Sequence, residues 1–263
     1  MVTMQRRQFT VAAAALAAFA WVPSLRAKTV TLEVVSSGGF AAALELLGPK
    51  FTQAFGIPLH RSFGSSMGVT EDAIPACLTH NEPIDVVVMV GYALDEPIKQ
   101  GKVLAHSKVV LAKSRIGVAV KAGSPRPDIS SVDSVKRALL AAKSIAYSAS
   151  ASGVYIQNEM LPRLGIAEQV RGKSHMISTE PVGKVIASGE NELGFQQMSE
   201  LKTISGIDIV GPPPPDLQKI DLYSAGIVTY SRHQAEARKL LAFLSSREAA
   251  PIIAATGQDP IVP

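Results

Sequence analysis

The sequence predicts an α/β protein built on mainly parallel sheets. Three observations lead there. Strand-like apolar runs alternate with helical patterns along the chain. The alternation occurs twice, before and after about residue 115. The run IDVVVMV (Ile84 to Val90) is continuously apolar, which suits a central strand covered on both faces.

The elements follow in order. TVTLEVVSS (Thr29 to Ser37) is a strand ending in a Ser/Gly turn, and Ala41 to Phe55 is a helix that Gly48-Pro49 kinks. IPLHRSF is a second strand and Gly68 to His80 a second helix. Beyond Val90 comes helical LDEPIKQG, then the strand RIGVAVKAG (Arg115 to Gly123). SSVDSVKRALLAAK starts a helix, with Ser130 and Asp133 at capping-box spacing. SIAYS is a strand, ASASG a loop of small residues, and VYIQNEMLPRLG a helix. Met176 to Thr179 is a short strand, followed by a helix from about Pro181 to Ser188 whose first turn suits Glu180 and Pro181. ELGFQQ is a strand and SELK a short helix. IDIVGPPPP and DLYSAGIVTY are two more strands, the tetraproline reading as a stiff loop. Arg232 to Leu244 is an amphipathic helix, and a tail helix ends near Gly257.

The first 27 residues stand apart. Arg6 and Arg7 precede an apolar run, Val11 to Val22, that is too short to span a bilayer. Pro23 and small Ala27 follow, the layout of a secretory signal cleaved near Ala27. RRQFT (Arg6 to Thr10) resembles a twin-arginine export signal. No cysteine stands at the cleavage point for a lipid anchor, so the expectation is a soluble periplasmic protein. Arg6, Arg7 and Arg26 also carry much of the charge excess: without them 23 basic residues face 22 acidic ones. That balance gives no argument for nucleic acid. Cys77 is the single cysteine, so no intrachain disulfide forms, and IPACL marks it as a buried apolar residue. The five histidines are scattered without ligand spacing, so no metal or cofactor is expected.

Chemistry concentrates in the turns. SSGGF (Ser36 to Phe40), GSSMG (Gly64 to Gly68) and SASASG (Ser148 to Gly153) each set hydroxyls and backbone N–H groups at a helix start, and Thr179 opens another helix. In parallel α/β sheets such turns lie at the carboxyl ends of strands, where ligands bind. Several of them converging make an anion cage of donors without Lys or Arg. Any one alone is ordinary capping.

The order of these elements resembles the periplasmic solute-binding proteins of ABC transporters, those like the bacterial molybdate-binding protein, over essentially all of Thr29 to Pro263. LEVVSSGGFAAAL, RSFGSSMGV, PIDVVVMV, SASASGVYIQNEMLPRLG and EPVGKVIASGENELGF carry the likeness, the last keeping Asn191-Glu192 and Leu193-Gly194. The resemblance implies a two-lobed type II binding-protein fold with the ligand in a cleft between lobes. It implies donors at Ser66 in the second turn, at Ser152 beside Gly153, and at Val182. It puts Gly39 where the family has a serine and Gln197 where it has a tyrosine. Ser36 or Ser37 could supply the missing hydroxyl, Ser65 lies beside Ser66, and Arg61 and Arg115 could add charge. Gly39 opens space, and Gln197 offers an amide for a phenol. The implied ligand is a molybdate- or tungstate-type oxyanion, with an organic di- or tricarboxylate as the alternative. The implied partner is an ABC permease, and the protein a monomer that does no chemistry. One lobe is expected to hold residues 28–114 and 229–263, the other 115–228.

A different class is written in the same turn. Gly64-Ser65-Ser66-Met67-Gly68 satisfies G-x-S-x-G, the nucleophile elbow of serine hydrolases. The reading needs a histidine and an acid downstream, and His233 with Asp259 is the one plausible pair. SELK (Ser199 to Lys202) formally matches S-x-x-K, but no K-T-G follows. Ser66 is therefore read as a ligand donor.

Overall fold

The computed structural model describes residues 30–262. The expected export signal and its cleavage point near Ala27 lie outside the described residues. Ten strands are present among them: β1 (Leu32–Ser37), β2 (Leu59–Gly64), β3 (Val86–Val90), β4 (Val109–Lys121), β5 (Ile145–Ser148), β6 (Ser174–Ile177), β7 (Leu193–Gln197), β8 (Ile207–Gly211), β9 (Ile220–Ile227) and β10 (Asp259–Pro260). The helices are α1 (Gly38–Phe55), α2 (Ile74–Thr79), α3 (Gly91–Lys99), α4 (Val132–Ala141), α5 (Ala151–Tyr155), α6 (Leu161–Arg163), α7 (Ala167–Val170), α8 (Val182–Ser188), α9 (Met198–Leu201), α10 (Gln234–Leu244) and α11 (Ala250–Ala255). A π-helical turn, Ile156–Met160, runs α5 into α6.

The strands pair in the order β2-β1-β3-β9-β4-β7-β5-β6, with β8 and β10 also on β4. Each wing is parallel, β1 with β2 and β3, and β5 with β6 and β7. The middle is antiparallel, because β9 and β4 run against β3, β7 and each other. The sheet is thus mixed rather than mainly parallel. The reason is β4. It pairs β9 from Val109 to Arg115, then pairs β7 from Ile116 to Val120, so one continuous strand passes from one wing to the other.

Two hydrophobic cores sit either side of that passage. The first gathers Leu32, Phe40, Leu44, Phe51, Val88 and Leu240, with a layer of Ile74, Val87 and Met89 on the other sheet face. Buried Cys77 packs in that layer. The second gathers Ile116, Val118, Leu139, Ile156, Met160 and Phe195, with Val182 and Ile186 opposite. Tyr223, Ala225 and Ile227 of β9 belong to the first core, although they fall within the span expected for the second lobe.

Three local expectations change. The second helix shrinks to α2, since Gly68 at φ +101° breaks the backbone ahead of it and residues 65–73 close as a loop through Ile74 N–H to the Ser65 carbonyl at 2.9 Å. The capping box of α4 forms one residue later, between Ser131 and Ser134. α1 begins at Gly38 rather than Ala41, which puts two glycines in its first turn.

Candidate functional site

The carboxyl ends of β1 and β5 bring two helix starts together. Ser37, Gly38 and Gly39 open α1; Ser150, Ala151 and Ser152 open α5; Gln197, Glu200 and Tyr223 close the space between them. The cavity they enclose is about 10 Å³, room for a single water. No side chain caps the first turn of α1 or α5, and α1 has no acidic residue there. Their free N–H groups make this end of the cleft a cradle for negative charge.

Both glycines are required by what lies against them. A Cβ on Gly38 would overlap the Glu200 carboxylate, and one on Gly39 would overlap the Tyr223 hydroxyl. The space expected at Gly39 is therefore filled: the phenol that the resemblance placed at residue 197 arrives from β9 instead. Ser199 Oγ donates to the Gly39 carbonyl at 2.7 Å and ties α9, which carries Glu200, to α1.

The electrostatics of this cluster are unusual. Burial pushes the Glu200 carboxyl up to about 7, against the opposing pull of the Gln196 side chain and the Gln197 backbone N–H. Gln196 is itself oriented, because its Oε1 accepts the Gly183 N–H at 3.2 Å. Burial, and then the charges of Glu200 and Asp221, raise the Tyr223 phenol well above its ordinary value, so it remains an O–H donor. Burial raises Asp221 too, opposed by Gln197 and Lys219. Asp221 Oδ1 and Ser37 Oγ are buried without a hydrogen-bond partner, and Ser37 Oγ stands beside the Tyr223 phenol without a well-formed bond to it. Of the two, Ser37 lines the cavity, so its hydroxyl has a hydrogen bond to give to whatever enters.

The residues singled out in the sequence divide. Ser37, Gly39, Ser152 and Gln197 line the cavity. Gln197 does so with its amide already committed, accepting from Ser114 Oγ at 2.7 Å and donating to Asp221 at 2.6 Å. Ser36 is buried and donates to the Ser37 carbonyl at 3.1 Å. Ser65 bonds within its own turn to Met67. Ser66 Oγ accepts the Val90 N–H at 3.1 Å, leaving its own proton free to donate. Gly153 is dictated by packing, since a Cβ would overlap the Ser148 carbonyl. Val182 is buried against Ala146 and Ile186, and Gln196 serves the start of its helix.

The two arginines stand elsewhere. Arg61 pairs with Glu45 at 3.2 Å against Gly48 of α1, and Arg115 with Asp259 at 2.7 Å. That pairing also removes the hydrolase arrangement, because Asp259 holds Arg115 while His233 lies 3.4 Å from Asp85. Glu200 and Tyr223 were not singled out by sequence. Glu200 sits inside the SELK motif, noted for the serine and lysine at its ends. Its signal is a carboxylate placed between buried Ser199 and Leu201.

A family model described as bacterial extracellular solute-binding protein matches residues 32–258. A Pseudomonas protein named aconitate isomerase is 47% identical over 240 residues, spanning 91% of this chain and 92% of that one. The periplasmic molybdate-binding protein of Azotobacter vinelandii superposes with a TM-score of 0.70 at 22% identity, covering 88% of this chain and 99% of that one. The sulfate-binding protein of Mycobacterium tuberculosis superposes at 0.68 and 19% identity, covering 89% and 88%. At such identities the two structures speak for the fold.

Proposed function

The chain belongs to the bacterial extracellular solute-binding proteins and has their α/β fold, and from that premise we propose that it captures a small tricarboxylate of the aconitate class between its two halves and isomerises it by proton transfer through Glu200. One observation carries the reading. A carboxyl tuned to about 7 faces the unblocked N-terminus of α1 beside a phenol that stays protonated. A carrier of a doubly charged oxyanion can use such a carboxyl only in its protonated form, as one more donor. A proton-transfer enzyme working near neutral pH needs a group of this kind. The relative named aconitate isomerase supports the choice of substrate class.

The chemistry balances without a cofactor. Aconitate is propene-1,2,3-tricarboxylate, with a methylene group next to its double bond. Glu200 as carboxylate takes a proton from that methylene, so a C–H bond breaks and an O–H bond forms. The electron pair spreads over the three-carbon unit and its carboxylates. The Tyr223 O–H and the first N–H groups of α1 face that negative charge. The carboxylic acid then returns the proton to the far carbon, and the double bond has moved. The product is aconitate again, with the other geometry available to it. The closed cavity is far smaller than this substrate, so entry requires the halves to part about the β4 and β9 crossings.

The test is a proton NMR time course with trans-aconitate. The expected result is formation of the cis isomer, with deuterium entering the methylene position in heavy water. Glu200→Gln should lower the rate by about 10²–10⁴-fold while leaving binding in place. Tight binding of trans-aconitate with no interconversion would make the protein a carrier that delivers to a permease and would overturn the isomerase reading. A melting point raised by molybdate and not by aconitate would return the oxyanion.

A further inference from the structure

Alternation along β9 sets Asp221 and Tyr223 on its buried face, and Lys219, just ahead of the strand, continues the same row. The Lys219 ammonium lies 5.0 Å from the centroid of the Tyr92 ring and 5.2 Å from that of Tyr155. Tyr92 comes from the start of α3 on the first core's wing, Tyr155 from α5 in the second core. The cation therefore stands between the two halves, flanked by an aromatic face from each.

The chain just ahead of it is held twice. Gln218 exchanges two 2.9 Å hydrogen bonds with the backbone of Ile116, and the Tyr155 hydroxyl donates to the Leu217 carbonyl at 3.0 Å. Its charge is held far less well. Its carboxylate partner, Glu159, is 3.6 Å away and 56% exposed, an arrangement worth little in water. Asp221, two residues on, spends one oxygen on Gln197 and has the other unpaired. A fixed, partly desolvated cation with an exchangeable partner is suited to receive an anion from the cleft.

We propose that Lys219 is the specificity residue of this site, pairing with the substrate carboxylate that lies farthest from Glu200 and so selecting three carboxylates over two. The inference rests on the tricarboxylate reading above. Four residues of strand, about 13 Å, separate Lys219 from Tyr223. An extended lysine side chain and a six-carbon tricarboxylate share that distance between them.

Calorimetry with two saturated ligands tests it without requiring turnover. Propane-1,2,3-tricarboxylate has all three carboxylates and cannot isomerise; methylsuccinate has the same carbon chain and lacks one terminal carboxylate. Wild-type protein should bind the first about 10- to 100-fold more tightly than the second. Lys219→Met should lose that advantage to within about twofold, and Lys219→Arg should keep most of it. The arginine variant also guards against a methionine variant that folds poorly. Equal weakening of both ligands by Lys219→Met would show a latch between halves and overturn the inference, as would no weakening of either. In both cases the isomerase reading would stand. If wild-type protein binds neither ligand, the tricarboxylate reading itself fails, and this one with it.

Discussion

Asp221 accepts a 2.6 Å hydrogen bond from the Gln197 amide on one carboxylate oxygen and none on the other. Gln197 in turn accepts from Ser114, so a buried chain of three side chains links β4, β7 and β9 where the sheet passes from one core to the next.

Gln197→Leu leaves Ser114 and Asp221 both without this partner in a buried place. The expected loss is about 1–3 kcal/mol of stability in urea unfolding. Asp221→Asn should cost less, because an amide oxygen can still accept from Gln197 and the buried charge is gone. A larger loss for the asparagine variant than for the leucine variant would contradict this order.

Glu200 gives a pH dependence with a definite sign. Its pKa is raised on folding from 4.5 to about 7, so the folded state favours the protonated form. Stability from this group is full below about 4.5 and is lost as pH rises through about 7. Thermal melts should thus show Glu200→Gln gaining on wild type between about pH 3.5 and pH 8 (roughly one unit beyond each end of the window). The rate of isomerisation should move oppositely, with kcat/KM climbing through about 7 as the carboxylate forms. Parallel melting curves for the two proteins across that window would place the raised group elsewhere.

Gly39→Ser restores the family's serine in name only. Its Cβ meets the Tyr223 hydroxyl, so the expected result is overpacking of about 1–3 kcal/mol and weaker tricarboxylate binding, with no affinity for molybdate gained. Equilibrium melts and a molybdate titration of the purified variant read both. A molybdate site appearing in this variant would mean that the phenol yields easily.

Ser66→Ala removes the acceptor for the buried Val90 N–H. It should cost about 1–3 kcal/mol of stability, in addition to any effect on ligand, and should leave no esterase activity to lose. Unchanged stability with lost binding would restore Ser66 as a donor to ligand alone.

Much of this architecture was legible in the residues. Apolar runs such as Ile84 to Val90 and the Ser/Gly turns located most strands and two of the three converging walls, because those signals are local. The first residue of α1 was not legible, since a glycine pair reads as turn rather than helix until Glu200 and Tyr223 are seen to need the space. Glu200 itself was hidden because its half-buried place beside Gly38 depends on α9 packing on α1, a contact between Ser199 and Gly39 that spans 160 positions. Arg61 and Arg115 misled for a related reason. Strand order placed them near the cleft, but each has its own acidic partner.

The hydrogen bond from Ser199 to Gly39 has a further meaning for timing. α9 packs through Met198 and Leu201 against Gly117, on the second wing, while Gly39 opens α1 on the first. On the proposed opening, that bond is the tie that must give before Glu200 can leave the cradle at the start of α1. In the proposed reaction, a molecule with its halves fully parted holds no base over that cradle, whatever it meets. Substrate must then sit at an opening wide enough to admit it and narrow enough to keep Glu200 within reach, so commitment and reaction hang on one gap width.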